Sequence, residues 1–104
     1  MSLEDEVVAL LKDQGITLTT AESCTAGLLA GRVMNVAGAS AVYEEGYITY
    51  SNKAKEKLLG VCHDTLERYG AVSRETACEM AEGAAKAAGA DAALSVTGIA
   101  GPDG

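Results

Sequence analysis

Neither phenylalanine nor tryptophan occurs among the 104 residues, and the aromatic complement is four tyrosines, Tyr43, Tyr47, Tyr50 and Tyr69. A core without large rings must be assembled from aliphatic and small side chains, and with 19 alanines each buried residue contributes little apolar area. Such a composition predicts closely approaching elements and a domain helped by association into a homo-oligomer. Cations are scarce as well: eight Lys and Arg stand against fifteen Asp and Glu, for a net charge of −7, and they are scattered. Neutralising phosphate backbones needs clustered Lys and Arg, so nucleic acid and membrane surfaces are excluded as main partners. One basic side chain can still meet the phosphate of a small ligand.

No apolar run approaches the roughly 18 residues of a membrane span, and no secretory leader opens the chain, which makes a cytoplasmic protein the expectation. Cysteine is limited to Cys24, Cys62 and Cys78, with no CxxC pair, and His63 is the single histidine. That inventory argues against a disulfide framework and a zinc site, and no metal or cofactor is expected. The length fits one domain, residues 1–104.

What is present alternates helix with strand. LEDEVVALLKDQG carries acids in its first turn, apolar residues at helical spacing and Gly15 at its end, and predicts an amphipathic helix. ITLTTA predicts a short strand, TAGLLAGRVMNVAG a second helix, and VYEEGYITYS a second strand. Ser51 or Asn52 caps NKAKEKLL before Gly60, HDTLERYG is a shorter helical turn, and Ser73 caps a long helix that ends at Gly89. DAALSVTG is apolar almost throughout, which predicts a strand buried on both faces. The pattern is that of an α/β domain with a mostly parallel sheet. A last strand running into GIAGPDG leaves the layers incomplete, so the chain is expected to be part of a larger domain.

Ligands of open α/β sheets collect at the carboxyl ends of strands, and TAESCTAG, YITYSNKAK and TGIAGPDG all fall there. In TYSNKAK, Tyr50 and Lys55 converge only if Tyr50 closes a strand and Lys55 sits in the first turn of the next helix. The positive dipole end would there lower the lysine pKa and suit it to act as a base. Lys53, Lys55 and Lys57 also read as a polar helix face. In GASA, Ser40 is an unobstructed hydroxyl that a lysine could activate as nucleophile, or a plain turn residue. Thr97, Gly98 and Gly101 belong to a Gly-rich loop that matches neither the P-loop nor GxGxxG. In TAESCTAG, Ser23 or Thr20 can cap the helix and leave its first N–H groups as an anion or oxyanion site. Cys24 is a conceivable thiol nucleophile, though a histidine base is normally wanted and His63 lies elsewhere.

Together, TTAESCTAG, AGAS, GYITYSNKAK, LGV, GAVS and SVTGIAGPDG resemble the C-terminal domain of the competence/damage-inducible CinA family, whose stand-alone form is a nicotinamide-nucleotide amidase. The resemblance implies a three-layer α/β/α sandwich with a mostly parallel or mixed sheet. It also implies metal-free hydrolysis of the carboxamide of nicotinamide mononucleotide, a small-molecule nucleotide, to nicotinate mononucleotide and ammonia. Carried onto this sequence, it makes Ser40 the nucleophile with Tyr50 and Lys55 as catalytic partners. Ser23, Thr25, Thr97, Gly98 and Gly101 become substrate-binding. The family pattern continues past GIAGPDG with a strand, a helix and a substrate-binding arginine, so this chain reads as the N-terminal two-thirds of such a domain. The alternative is a non-catalytic domain that binds a nucleotide phosphate, or an inactive fragment.

Overall fold

A computed structural model describes residues 1–99. Helix α1, Leu3–Gln14, starts at Ser2, whose hydroxyl accepts from the Asp5 N–H while the Asp5 carboxylate accepts from the Ser2 N–H; it ends at Gly15 in the left-handed region. Strand β1, Leu18–Glu22, and helix α2, Leu28–Met34, follow, and then a 3₁₀ turn, Ala39–Ala41. Strand β2, Tyr47–Ile48, helices α3, Asn52–Leu59, α4, His63–Tyr69, and α5, Arg74–Ala88, and strand β3, Ala92–Val96, complete the order. Ser51 and Ser73 cap α3 and α5 by accepting the N–H groups of Ala54 and Thr76, as serine does at an N-cap.

The sheet has the order β2-β1-β3, with both pairings parallel: Ala21 opposite Tyr47, and Leu18 to Glu22 opposite Ala92 to Val96. Because strand side chains alternate, central β1 serves two cores. Leu18 packs with Val8, Val33, Val42 and Tyr43 on the face covered by α1 and α2. Ala21 packs with Leu59, Leu66, Met80 and Ala84 beneath α3, α4 and α5. This is the three-layer α/β/α arrangement expected. Gly83 of α5 lies against the Leu59 carbonyl, so α5 and the end of α3 approach with no room for a Cβ.

Two element boundaries and the burial of one strand differ from expectation. Helix α2 starts later, because the turn before it holds Ala26 and Gly27 at φ +53° and +98°, outside the helical region. The second strand shrinks to two residues: the Thr19 hydroxyl donates to the Glu45 carbonyl at 2.7 Å and Thr20 pairs with the Tyr43 hydroxyl at 2.7 Å, so side chains replace ladder bonds. Among the described residues β3 is half-covered rather than buried on both faces, and Leu94 is exposed.

Candidate active site

Every residue from Leu18 to Ser23 is buried, although four of the six are polar or charged. Buried polar groups are costly unless bonded, so their partners define what this strand is for. Ser23 extends β1 by one ladder bond, its N–H donating to the Val96 carbonyl at 3.0 Å. Its hydroxyl accepts from the Lys55 Nζ at 3.1 Å.

Lys55 lies in the first turn of α3 and is 1% exposed. Its Nζ also donates to the carbonyls of Thr49, at 2.8 Å, and Tyr50, at 3.2 Å, in the segment that leaves β2. Burial lowers the Lys55 pKa, opposed in part by the nearby Cys24 thiol. The geometry has a chemical consequence. Two carbonyls can only accept, so they take two N–H bonds in either protonation state. The third direction of the nitrogen faces the Ser23 oxygen: an N–H when the lysine is charged, a lone pair able to take the hydroxyl proton when it is neutral.

Ser23, Cys24, Tyr50, Lys55, Ala71, Thr97, Gly98 and Ile99 line a cavity of about 270 Å³ over this pair. Within that lining the Thr97 hydroxyl donates to the Ala71 carbonyl at 2.8 Å. Gly98 lies close to the Cys24 sulfur, where an added Cβ would stand 3.2 Å from it. Tyr50 meets Lys55 through its carbonyl, while its ring is 79% exposed at the rim.

Ser40 is not brought to this group. It sits in the 3₁₀ turn, beside a cleft lined by Thr17, Leu18, Glu44, Glu45 and the end of α5. Leu18 opens β1 and Ser23 follows its last residue, so the length of the central strand, roughly 3.3 Å per residue, separates Ser40 from Lys55. Among the described residues, two carboxylates and no lysine or histidine line the Ser40 cleft. The expected Ser40–Tyr50–Lys55 unit is therefore not assembled within one chain. Gly101 lies outside the described residues. His63 is exposed beside Glu56 and Glu67, at 3.1 and 3.3 Å, and does not line the cavity.

Sequence reasoning also missed Glu22, which is 1% exposed. Its carboxylate accepts from the Thr25 hydroxyl at 2.7 Å and from the N–H groups of Gly27, Leu29 and Ala30 at 3.2, 2.9 and 2.9 Å. Burial pushes its pKa up, but the bonds from Thr25, Ala30, Leu29 and Gly27 outweigh this and hold it below the usual carboxylate value. Two expectations change. The first N–H groups of α2 are occupied from within, so they offer no free anion site, and neither Ser23 nor Thr20 caps the helix, whose N-cap is Gly27. The Thr25 hydroxyl is directed at Glu22 and does not line the cavity. The available signal was an acid shortly before a helix that opens on glycine.

The family described as CinA C-terminal domain matches residues 1–104. A CinA-like protein of Kosmotoga olearia is 61% identical over 103 residues, covering 99% of this chain and 25% of that protein. A nicotinamide-nucleotide amidohydrolase PncC of Enterobacter agglomerans is 56% identical, with 98% of this chain and 62% of that protein covered. A CinA superfamily crystal structure from Escherichia coli superposes with a TM-score of 0.96 at 41% identity, over 98% of this chain and 59% of that one. The chain thus spans a quarter of the long CinA-like relatives and about three-fifths of the amidohydrolase.

Proposed function

The chain belongs to the CinA C-terminal domain family, and on that premise we propose that it is an amidohydrolase that converts nicotinamide mononucleotide to nicotinate mononucleotide and ammonia. The observation that carries the reading is the buried Lys55 ammonium nitrogen 3.1 Å from the Ser23 hydroxyl, aimed there by two backbone carbonyls. The similarity to a protein named nicotinamide-nucleotide amidohydrolase supplies the substrate.

Neutral Lys55 takes the Ser23 proton as Oγ bonds to the carboxamide carbon. The resulting ammonium returns a proton to the amide nitrogen, the C–N bond breaks, and ammonia leaves an acyl ester on Ser23. Water, deprotonated by the same amine, attacks the ester; the C–Oγ bond breaks, Oγ takes the proton back from the Lys55 ammonium, and the carboxylate is released. Proton transfers balance over the two halves, so the cycle needs no metal or redox partner.

The cavity, about 270 Å³, lies just under the roughly 300–1,000 Å³ typical of small-molecule sites and suits the pyridine carboxamide end of a nucleotide. In this reading the Tyr50 ring lies against the pyridine at the rim, Gly98 keeps that wall thin, and the ribose phosphate extends outward. Ser23 is taken as nucleophile in this reading because, within one copy of the chain, it is the hydroxyl that Lys55 reaches. A phosphate-binding role without catalysis has less support, since the α2 N–H groups are bonded to Glu22.

The test is ammonia release from nicotinamide mononucleotide by the protein and by its Lys55→Met variant. A reduction of about 10²-fold or more in kcat is expected, the usual scale of a general base; an unchanged rate in a folded variant contradicts the mechanism.

A further inference from the structure

The proposed chemistry gives no part to Cys24, although its free, half-buried thiol lines the same cavity as Lys55. Facing it is Gly98. The register of β1 and β3 sets Glu22 opposite Val96, and the Ser23 N–H carries the ladder one residue further by donating to the Val96 carbonyl at 3.0 Å. Two residues beyond Glu22 and Val96, Cys24 stands across from Gly98, so the ends of neighbouring strands build this wall together. A Cβ added to Gly98 would lie 3.2 Å from the Cys24 sulfur. Non-bonded carbon atoms settle at roughly 3.5–4.0 Å and sulfur is larger, so the two cannot share the space without one moving. Conformation does not demand a glycine at this position, because Gly98 is not among the described glycines with positive φ. What residue 98 lacks is room, and the Cys24 sulfur takes it.

Resting on the amidohydrolase reading, but not on which hydroxyl attacks, we propose that Cys24 and Gly98 form a matched pair that sets the thickness of ring the cavity takes. The sulfur fills the place of a side chain at residue 98 and is the surface against which the ring lies. A flat pyridinium carboxamide slides past it, and a ring with hydrogens out of its plane meets it. Sulfur is also a favourable neighbour for an aromatic ring, a preference that a saturated or reduced ring forfeits. Cys24 thus determines specificity for aromatic ring carboxamides; it touches the ring, moves no proton and forms no bond.

The test is a double-mutant cycle read with two ligands. The first is nicotinamide mononucleotide, through its KM for ammonia release. The second is its dihydro form, whose ring carries a CH₂ in place of one aromatic CH, through its Ki as a competitive inhibitor. Wild type, Cys24→Ala, Gly98→Ala and the double variant are compared, each verified as folded by its thermal transition. Cys24→Ala should shrink the preference for the flat ring about tenfold, the scale on which an apolar pocket senses one small group. Gly98→Ala should raise KM about tenfold or more when Cys24 is present and less than about threefold in the Cys24→Ala background, since the clash needs both groups. The double variant should regain much of the flat-ring preference, because the new methyl stands where the sulfur stood. An unchanged preference in Cys24→Ala overturns the pair, and so does an equal rise in KM from Gly98→Ala in both backgrounds; ammonia release by the wild type then leaves the amidohydrolase reading standing. Wild-type protein that neither binds nor hydrolyses nicotinamide mononucleotide overturns that reading, and the pair with it.

Discussion

Lys55 and Ser23 are 32 residues apart in sequence, yet their functional atoms meet at 3.1 Å in the buried interior. The contact exists because Ser23 ends the central strand and Ser51 starts the helix that carries Lys55 over the same end of the sheet. A lysine so placed costs stability when charged, since burial disfavours the cation.

The cost has a pH signature. The folded pKa of Lys55 is depressed below its ordinary 10.5, so between the two values the unfolded chain binds the extra proton and stability rises with pH. Below the folded pKa the full penalty is present. Thermal unfolding of the protein should therefore gain on that of Lys55→Met as pH is raised toward 10.5; a constant difference in Tm contradicts it. In the proposed mechanism the neutral amine is the base, so kcat/KM should climb as pH passes through the folded pKa of Lys55 and level off above it.

Glu22 should act in the opposite range. Its folded pKa is lowered, so its contribution is fully present above the unfolded carboxylate value and is lost as pH falls through the folded one. At neutral pH Glu22→Gln should lose roughly 1.5–3 kcal/mol in urea unfolding, the scale of hydrogen bonds to a charged group. Its unfolding midpoint should also be flatter than the wild type's in acid. Equal acid sensitivity in both proteins contradicts this.

Two glycines make a paired prediction about packing. At Gly83 an added methyl meets the Leu59 backbone carbonyl, so Gly83→Ala should cost about 1–3 kcal/mol as an overpacked contact and displace α3 with its lysine. At Gly31, inside α2, nothing lies within 4 Å, and Gly31→Ala should add about 0.4–1 kcal/mol by restricting the unfolded chain. Urea midpoints measure both, and a neutral Gly83→Ala contradicts the close approach of α3 and α5.

Much of this was legible in the sequence. Serine caps marked α3 and α5, first-turn acids marked α1, and glycines closed all three; Lys55 does sit in the first turn of α3, but Tyr50 lies past the end of β2 and meets it through its carbonyl alone. Where local reading failed, non-local bonds had decided. The second strand was cut short by threonine hydroxyls of β1, and the start of α2 was set by a carboxylate that no hydropathy pattern distinguishes from a surface acid. Ser40 carries a different lesson. Its place before β2 and the place of Lys55 after it already put them at opposite ends of a parallel strand. Within one copy of the chain they stand apart, whereas the resemblance groups them as one unit.

The most direct measurement is therefore ammonia release from nicotinamide mononucleotide by Ser23→Ala beside Ser40→Ala, each verified as folded by its thermal transition. The account predicts that Ser23→Ala loses about 10²-fold or more in kcat, whereas Ser40→Ala stays close to wild type. Activity retained in Ser23→Ala and abolished in Ser40→Ala would contradict it.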